Sequence, residues 1–522
     1  MQKNRPPLTI CAFYMAQQGR RMVFSRCAQW LHLLVFSTVL WGCGGGSSST
    51  NNTANSSIAD ASSSSISYSS SSVLSVVSSS LSSQPVSTQS ISSLSSVQST
   101  SSAMLSSTSS SHISSRAESS SSVSEKEFEP VSLQSQINRV QPMTGIVFWS
   151  DNTSALSALG QDVQLEFSYM LYRDVVTRIG TYSWAAVDQK LAQAAARGHQ
   201  MIFRFRDTYP GITQSSIPDG LPYHISKVEG QNTFIPDWSS TGLREFILDF
   251  FTRFAARYDN DPRLAFVQVG FGSYAEYHLY DGQPELGKNF PDKSFQANFL
   301  NHMAEVFSQT PWSISIDATS SDYSPFQATP ALKNLRFGLF DDSFMHKEHS
   351  ENDSEYNRAS WLFFGANRYH TNPAGGEFSY YSTYDQRNVL STNGPYGKTF
   401  EDFAHQYNVT YMIGNDQYAY QSKARIRQAA MATGYAFRLT LLESNGNRVR
   451  LRIRNEGIAP LYYDAYPSVN NQRATQSLKG LLPSNSLDME IHPGTHNPLD
   501  IQIKIDSDRL VTGQVIQFNA NL

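Results

Sequence analysis

Two glutamates stand in surroundings suited to glycosidic chemistry. One lies in the run Phe271-Gly272-Ser273-Tyr274-Ala275-Glu276-Tyr277-His278, the other in Gly375-Gly376-Glu377-Phe378-Ser379-Tyr380. Breaking a glycosidic bond needs one carboxyl group to protonate the leaving oxygen and a second to attack or to activate water. The neighbouring Tyr274, Tyr277 and Tyr380 offer rings on which a sugar can stack. They also lower the local polarity, which raises one carboxyl pKa for acid duty. Glu276 and Glu377 are therefore the candidate catalytic pair. The plainer alternative is that each is a surface charge or an ion-pair partner, and Glu377 could begin a strand instead of ending one.

Other polar residues gather at the ends of apolar runs. Arg204 and Arg206 suit hydroxyl or acidic-sugar recognition, or hold a carboxylate ionised. Asp341 and Asp342 end one run, and Asn415 and Asp416 end another, with ligand contact and loop capping both open to them. Tyr169, Tyr172 and His278 complete the binding candidates, the two tyrosines having core or rim packing as their alternative. His346, Lys347, Glu348 and His349 sit beside a highly polar stretch and read as a solvated loop. No zinc-helix motif, EF-hand loop or nucleophile elbow occurs, so no metal or cofactor is expected.

These residues need a frame that brings distant segments to one place. Strand-like runs fall at Gly145–Trp149, Val163–Met170, Met201–Arg206, Ala265–Phe271, Ser313–Asp317, Arg336–Phe340, Gly376–Tyr380 and Thr410–Gly414. Helical patterns separate many of them. Ser183–Arg197 has a serine before its apolar positions and stops at Gly198. Leu243–Tyr258 puts Phe246, Ile247, Phe250, Phe251 and Phe254 on one face and stops before Pro262. Phe295–Phe307 and Lys423–Ala432 repeat the pattern. Alternating strands and helices imply a parallel sheet, and eight units fit an α/β fold of the (β/α)8 TIM-barrel type. In such a barrel, functional groups stand at the C-terminal ends of the strands. From residue 434 the pattern is β only, which predicts a small all-β sandwich that buttresses the barrel or binds sugar.

The N-terminal part reads as an address and a tether. Residues 1–42 hold Lys3, Arg5, Arg20, Arg21 and Arg26, no acidic residue, and an apolar run from Leu31 to Leu40. That is the plan of a signal peptide, too short to span a bilayer as a stable helix. Cys43 follows Gly42 and resembles the lipidated cysteine of a bacterial lipoprotein. A membrane partner through an N-terminal lipid anchor and an outer-membrane location are therefore expected. Residues 43–127 are serine-rich and lack amphipathic period, which predicts a disordered linker. The chain of 522 residues is thus divided as 1–42, 43–127, a barrel over 128–433 and a β-domain over 434–522. Its formal charge of −4 provides no basic field for nucleic acid. The three cysteines, Cys11, Cys27 and Cys43, all precede the folded part, which excludes disulfides and cysteine nucleophiles there.

Glutamates after the fourth and seventh strands resemble the acid/base and nucleophile of the large retaining glycoside hydrolase clan built on this barrel. The chain is also similar to an uncharacterised bacterial domain-of-unknown-function family, a glycoside hydrolase-like barrel with a C-terminal β-sandwich. The resemblance lies in Phe266-Val267-Gln268-Val269-Gly270-Phe271 through Glu276, Arg336 to Phe344, Gly375-Gly376-Glu377, Gly434-Tyr435 and Asn455 to Leu461. It implies an extracytoplasmic enzyme with a carbohydrate substrate. The clan carries Asn before its strand-four glutamate and the family Trp-Gly-Glu-Trp; here Tyr274-Ala275-Glu276-Tyr277 stands instead. That departure supports an alternative, a non-catalytic glycan-binding lipoprotein on the same scaffold; a third reading is a structural or adhesion lipoprotein, which predicts no concave aromatic site.

Overall fold

The computed structural model describes residues 126–280, 284–347 and 356–522. The expected leader over 1–42, lipidation at Cys43 and nearly all of the 43–127 linker lie outside the described residues, as do Glu348 and His349.

Eight parallel strands close into a barrel: β1 Gly145–Trp149, β2 Leu165–Leu171, β3 Gln200–Arg206, β4 Leu264–Val269, β5 Trp312–Ser315, β6 Gly338–Phe344, β7 Ala374–Phe378 and β8 Tyr411–Ile413. Each expected run overlaps one of them, most with ends shifted by one to four residues. Their neighbours follow chain order, and β8 pairs with β1 through Tyr411–Gly145 and Ile413–Val147. Helices α1 Thr153–Leu159, α2 Ala185–Ala196, α3 Thr241–Tyr258, α4 Lys293–Val306, α5 Tyr356–Phe364, α6 Thr383–Asn388, α7 Phe400–Tyr407, α8 Gln417–Tyr420 and α9 Lys423–Met431 connect them. The β5 unit departs from this plan, with two 3-10 turns, Ile316–Thr319 and Pro330–Asn334, in place of an α-helix.

The local reasons are visible in α3. Ser240 accepts the Leu243 N–H at 3.3 Å, satisfying one free donor of the first turn. Leu243, Phe246, Ile247, Phe250, Phe251 and Phe254 recur at helical spacing and are all buried. They meet the outer face of β3, where Phe205 stands 4.7 Å from Phe250 and 5.3 Å from Phe254, centroid to centroid. The expected serine cap of α2 is replaced by Trp184, which makes no side-chain cap bond and instead stacks on Tyr182 at 5.6 Å.

Beyond the barrel come β9 Phe437–Ser444, β10 Val449–Asn455, β11 Tyr466–Val469, β12 Ser486–Ile491, β13 Ile503–Asp506 and β14 Phe518–Asn521. One sheet runs β12-β10-β9-β14; the second pairs β11 with β13. The barrel does not begin at residue 128. Glu129–Pro130 pairs with β9 and Gln134–Ser135 with β14, so the segment preceding the barrel completes the C-terminal domain.

That domain closes the N-terminal end of the barrel. Leu165, Ile202, Ala265, Phe266 and Tyr411 share one apolar cluster with Tyr435, Phe437, Leu461 and Tyr463. The Tyr463 hydroxyl donates to the Ala265 carbonyl, and the Tyr462 hydroxyl donates to the Tyr369 carbonyl at 2.7 Å. The opposite mouth, at the C-terminal ends of the strands, is not covered by this domain.

Candidate active site

The interior of the barrel is built around one guanidinium. Arg204, on β3, is fully buried. Its Nε donates to Gln268 Oε1 of β4 at 2.8 Å, and Gln268 Nε2 donates to the Tyr411 hydroxyl of β8 at 2.8 Å. Its Nη1 reaches Asp342 Oδ2 at 2.6 Å, Glu276 Oε1 at 3.0 Å and the Tyr169 hydroxyl at 3.2 Å. The guanidinium also lies over the Phe340 ring, 4.1 Å from its centroid. Burial alone would depress Arg204. The Asp342 carboxylate, Tyr169 and Glu276 outweigh it and leave the pKa raised, so the charge is permanent.

Glu276 reaches this cluster through a sharply folded loop after β4. Tyr274, Ala275 and Tyr277 all take left-handed backbone angles, φ +59°, +60° and +64°. The Tyr277 N–H donates to the Phe271 carbonyl at 2.9 Å, and the Glu276 N–H to the Ser273 carbonyl at 3.0 Å. Gly270 permits the fold, because a Cβ there would meet the Ala275 carbonyl oxygen at 2.0 Å. Ala275 is itself fully buried. Burial drives the Glu276 carboxyl well above the usual carboxylate range, and the adjoining Asp342 carboxylate adds to the shift against the pull of Arg204. Both influences favour the protonated form of this carboxyl over the carboxylate.

His278 lines the same recess, its Nε2 3.4 Å from Glu276 Oε2 and 3.7 Å from Asp317 Oδ2. Burial lowers its pKa to about 4, so the ring is neutral. Glu377 is the fourth residue of the five in β7, toward the C-terminal end of the strand, and is 3% exposed. Its orientation follows from Gly375, two residues earlier, where a Cβ would land 2.4 Å from the Tyr411 ring inside the barrel. Alternation then turns Glu377 inward as well. Glu276, Asp342 and Glu377 all act electrostatically on the Tyr169 hydroxyl, whose pKa burial raises.

The structure thus gathers Glu276, Glu377, Arg204, Asp342, Tyr169, Tyr274 and His278 at one mouth, with Arg206 above them on β3 and Tyr380 just past β7. Three expected contacts are corrected. Tyr172 is buried in the helix layer, 4.9 Å from Phe250 and 5.7 Å from Phe205, because it falls past the end of β2. Asp341 points out of the barrel and accepts from Trp361 Nε1 at 3.2 Å and from the Ser343 N–H at 2.9 Å. Strand alternation sends it opposite to Asp342. Asn415 Oδ1 accepts the Trp149 N–H at 3.2 Å and Asn152 Nδ2 at 2.9 Å, tying the end of β8 to β1.

Several mouth residues were missed. Gln268 is a polar residue at an inward position of an apolar strand, a signal that periodicity offered. Tyr209 stands edge-on to Tyr274 at 4.9 Å. The Tyr274 hydroxyl donates to Glu229 at 2.9 Å, at the turn of a hairpin, Tyr223–Val228 with Gln231–Pro236, that follows β3. Asp317 accepts from the Tyr356 hydroxyl at 3.2 Å.

No family model matches the sequence, and no curated protein matches it. Among solved structures, endo-glycoceramidase II from Rhodococcus sp., in a cellobiose-like imidazole complex, is 12% identical with TM-score 0.37, over 70% of this chain and 100% of its own. A GH30 endoxylanase from Clostridium papyrosolvens C71 is 10% identical with TM-score 0.34, over 73% and 96%. The glycoside hydrolase family 30 subfamily 8 xylanase from Clostridium acetobutylicum is 11% identical with TM-score 0.34, over 70% and 97%. Likenesses at these scores carry nothing about the side chains of the mouth.

Proposed function

We propose that this protein is an extracytoplasmic, lipid-anchored glycoside hydrolase acting on a poly- or oligosaccharide. Glu276 is its proton donor and Glu377 the opposing carboxylate. The observation that carries this reading is Glu276 itself, a carboxyl set between Arg204 at 3.0 Å and His278 at 3.4 Å, whose proton affinity burial and Asp342 raise. A leaving glycosidic oxygen needs such a donor. Glu377 projects into the same mouth and serves as nucleophile or as base toward water. Arg204 fixes Glu276 and Asp342 in place, and neutral His278 packs against Glu276 without competing for its charge. The Tyr169, Tyr209 and Tyr274 rings supply apolar faces against which a pyranose can lie.

The test sets the full chain, wild type beside Glu276→Gln and Glu377→Gln, against plant and algal polysaccharides, with released reducing ends as readout. Wild type should cleave at least one of them, and each variant should lose on the order of 10²–10⁴-fold in rate. Cleavage that survives both substitutions would remove the pair. Retention of a glycan by all three proteins without cleavage would make the barrel a binder.

A further inference from the structure

One cation at the mouth is left over once the carboxylates are matched. Arg204 serves Asp342 and Glu276, whereas Arg206, two residues further along β3, forms no ion pair among the described residues. Its guanidinium lies flat over the Tyr209 ring at 3.6 Å and above Tyr169 at 4.9 Å. Its Nε is buried with no hydrogen-bond partner. The hydroxyls of Tyr209 and Tyr169 act on it first, and Asp174, an acidic group in electrostatic reach, already accepts the Leu171 N–H at 2.8 Å. Burial without a counter-charge is unfavourable, and it lowers the pKa of Arg206. Stacking covers the guanidinium face, the Tyr209 hydroxyl engages part of its edge, and the half-buried fork that remains matches a carboxylate or a sulfate. Tyr169 joins the two arginines, since it accepts from Arg204 below and lies beneath Arg206.

We propose that Arg206 is an anion subsite, so that the glycan cleaved here carries a carboxylate or a sulfate ester on the sugar seated against Tyr209. This rests on the glycan reading above and narrows it to acidic polymers. The anionic substituent of that sugar completes the hydrogen bonding of the half-buried guanidinium. An anion here also offsets the negative charge that Glu377 and Asp342 would otherwise present to an acidic chain.

The test uses the full chain as wild type, Arg206→Gln and Arg206→Lys. Thermal unfolding is followed with glucuronate, galacturonate and galactose 6-sulfate, beside glucose and galactose. The anionic sugars should raise the wild-type midpoint by roughly 2–4 °C. Arg206→Gln should abolish that rise and Arg206→Lys should keep part of it. A rise with the uronates alone, or with the sulfate alone, identifies the anion. Equal rises with neutral and anionic sugars, no rise with any, or a rise unchanged in Arg206→Gln would overturn the subsite. Retention in gels is then compared for pectate, its carboxyl-reduced form, a sulfated galactan and its desulfated form. Wild type should be held about tenfold more weakly by the neutral member of a pair. Equal retention within each pair sinks the anion subsite and leaves the glycan reading standing, whereas no retention by any polymer sinks both.

Discussion

Asp207, beside Arg206, shows at the residue scale what burial does to a carboxyl that no cation meets. It is 1% exposed, and burial raises its pKa to about 7 despite backbone donors at its own N–H, Thr208 and Gly272. Because the folded value lies above the ordinary one, the contribution to stability is complete below pH 4. It declines as pH rises toward 7 and is lost above it. Wild type should therefore lose on the order of 3 kcal/mol between pH 4 and pH 8 relative to Asp207→Asn. Urea titrations at pH 4, 6 and 8 read this directly, and parallel pH profiles for the two proteins would contradict it. The contrast with Glu276 is instructive. Both carboxyls are raised by burial, but Glu276 stands at the mouth beside Arg204 and Asp342, whereas Asp207 is closed off.

Elements carry their own constraints, and β7 shows how sequence, packing and function meet in one strand. Its Gly375 leaves room for the Tyr411 ring, which in turn orients Gln268 and through it Arg204. Adding a methyl at residue 375 forces a ring in a close-packed interior to move, a change that costs about 1–3 kcal/mol. Gly375→Ala should lower the urea midpoint accordingly and disturb glycan cleavage more than a distant substitution of equal cost. Reversal of the loss in Gly375→Ala with Tyr411→Leu, whose side chain is smaller, would confirm the clash as its cause. The loop after β4 works differently. Three left-handed non-glycine residues there store roughly 1–3 kcal/mol each, so Glu276 is held at the mouth against local backbone preference.

For the whole molecule, the two described lobes form one structural unit. The N-terminal strands Glu129–Pro130 and Gln134–Ser135 complete the β-domain before the chain enters the barrel. The β-domain then shares its apolar cluster with the barrel floor. Each large side chain fully buried there contributes about 1.5–3 kcal/mol, so neither lobe keeps its core alone. Barrel and β-domain should unfold in one transition, with tryptophan fluorescence and far-ultraviolet circular dichroism giving the same midpoint. Ending the chain at residue 434 should yield an insoluble or protease-sensitive barrel. Two separate transitions would show that the shared floor is not energetically coupling the lobes.

The sequence by itself determined the alternation of eight strands with helices, because apolar spacing and caps are local properties. It also singled out Glu276, Glu377 and Arg204 as polar residues in or beside apolar runs, although whether Glu377 begins or ends its strand stayed open. What it did not decide was direction. Asp341 and Asp342 are adjacent and chemically alike, yet one braces Trp361 outside the barrel and the other holds Arg204 within it. Tyr169 and Tyr172 divide in the same way between mouth and helix layer. A strand states that its neighbours point oppositely, but only closure of the sheet decides which side is the interior. The same holds for Gln268 beneath Arg204, for the hairpin that brings Glu229 to Tyr274, and for the N-terminal strands that join β9 and β14. Their partners lie tens to hundreds of residues away, and contacts at that range leave no local period to read.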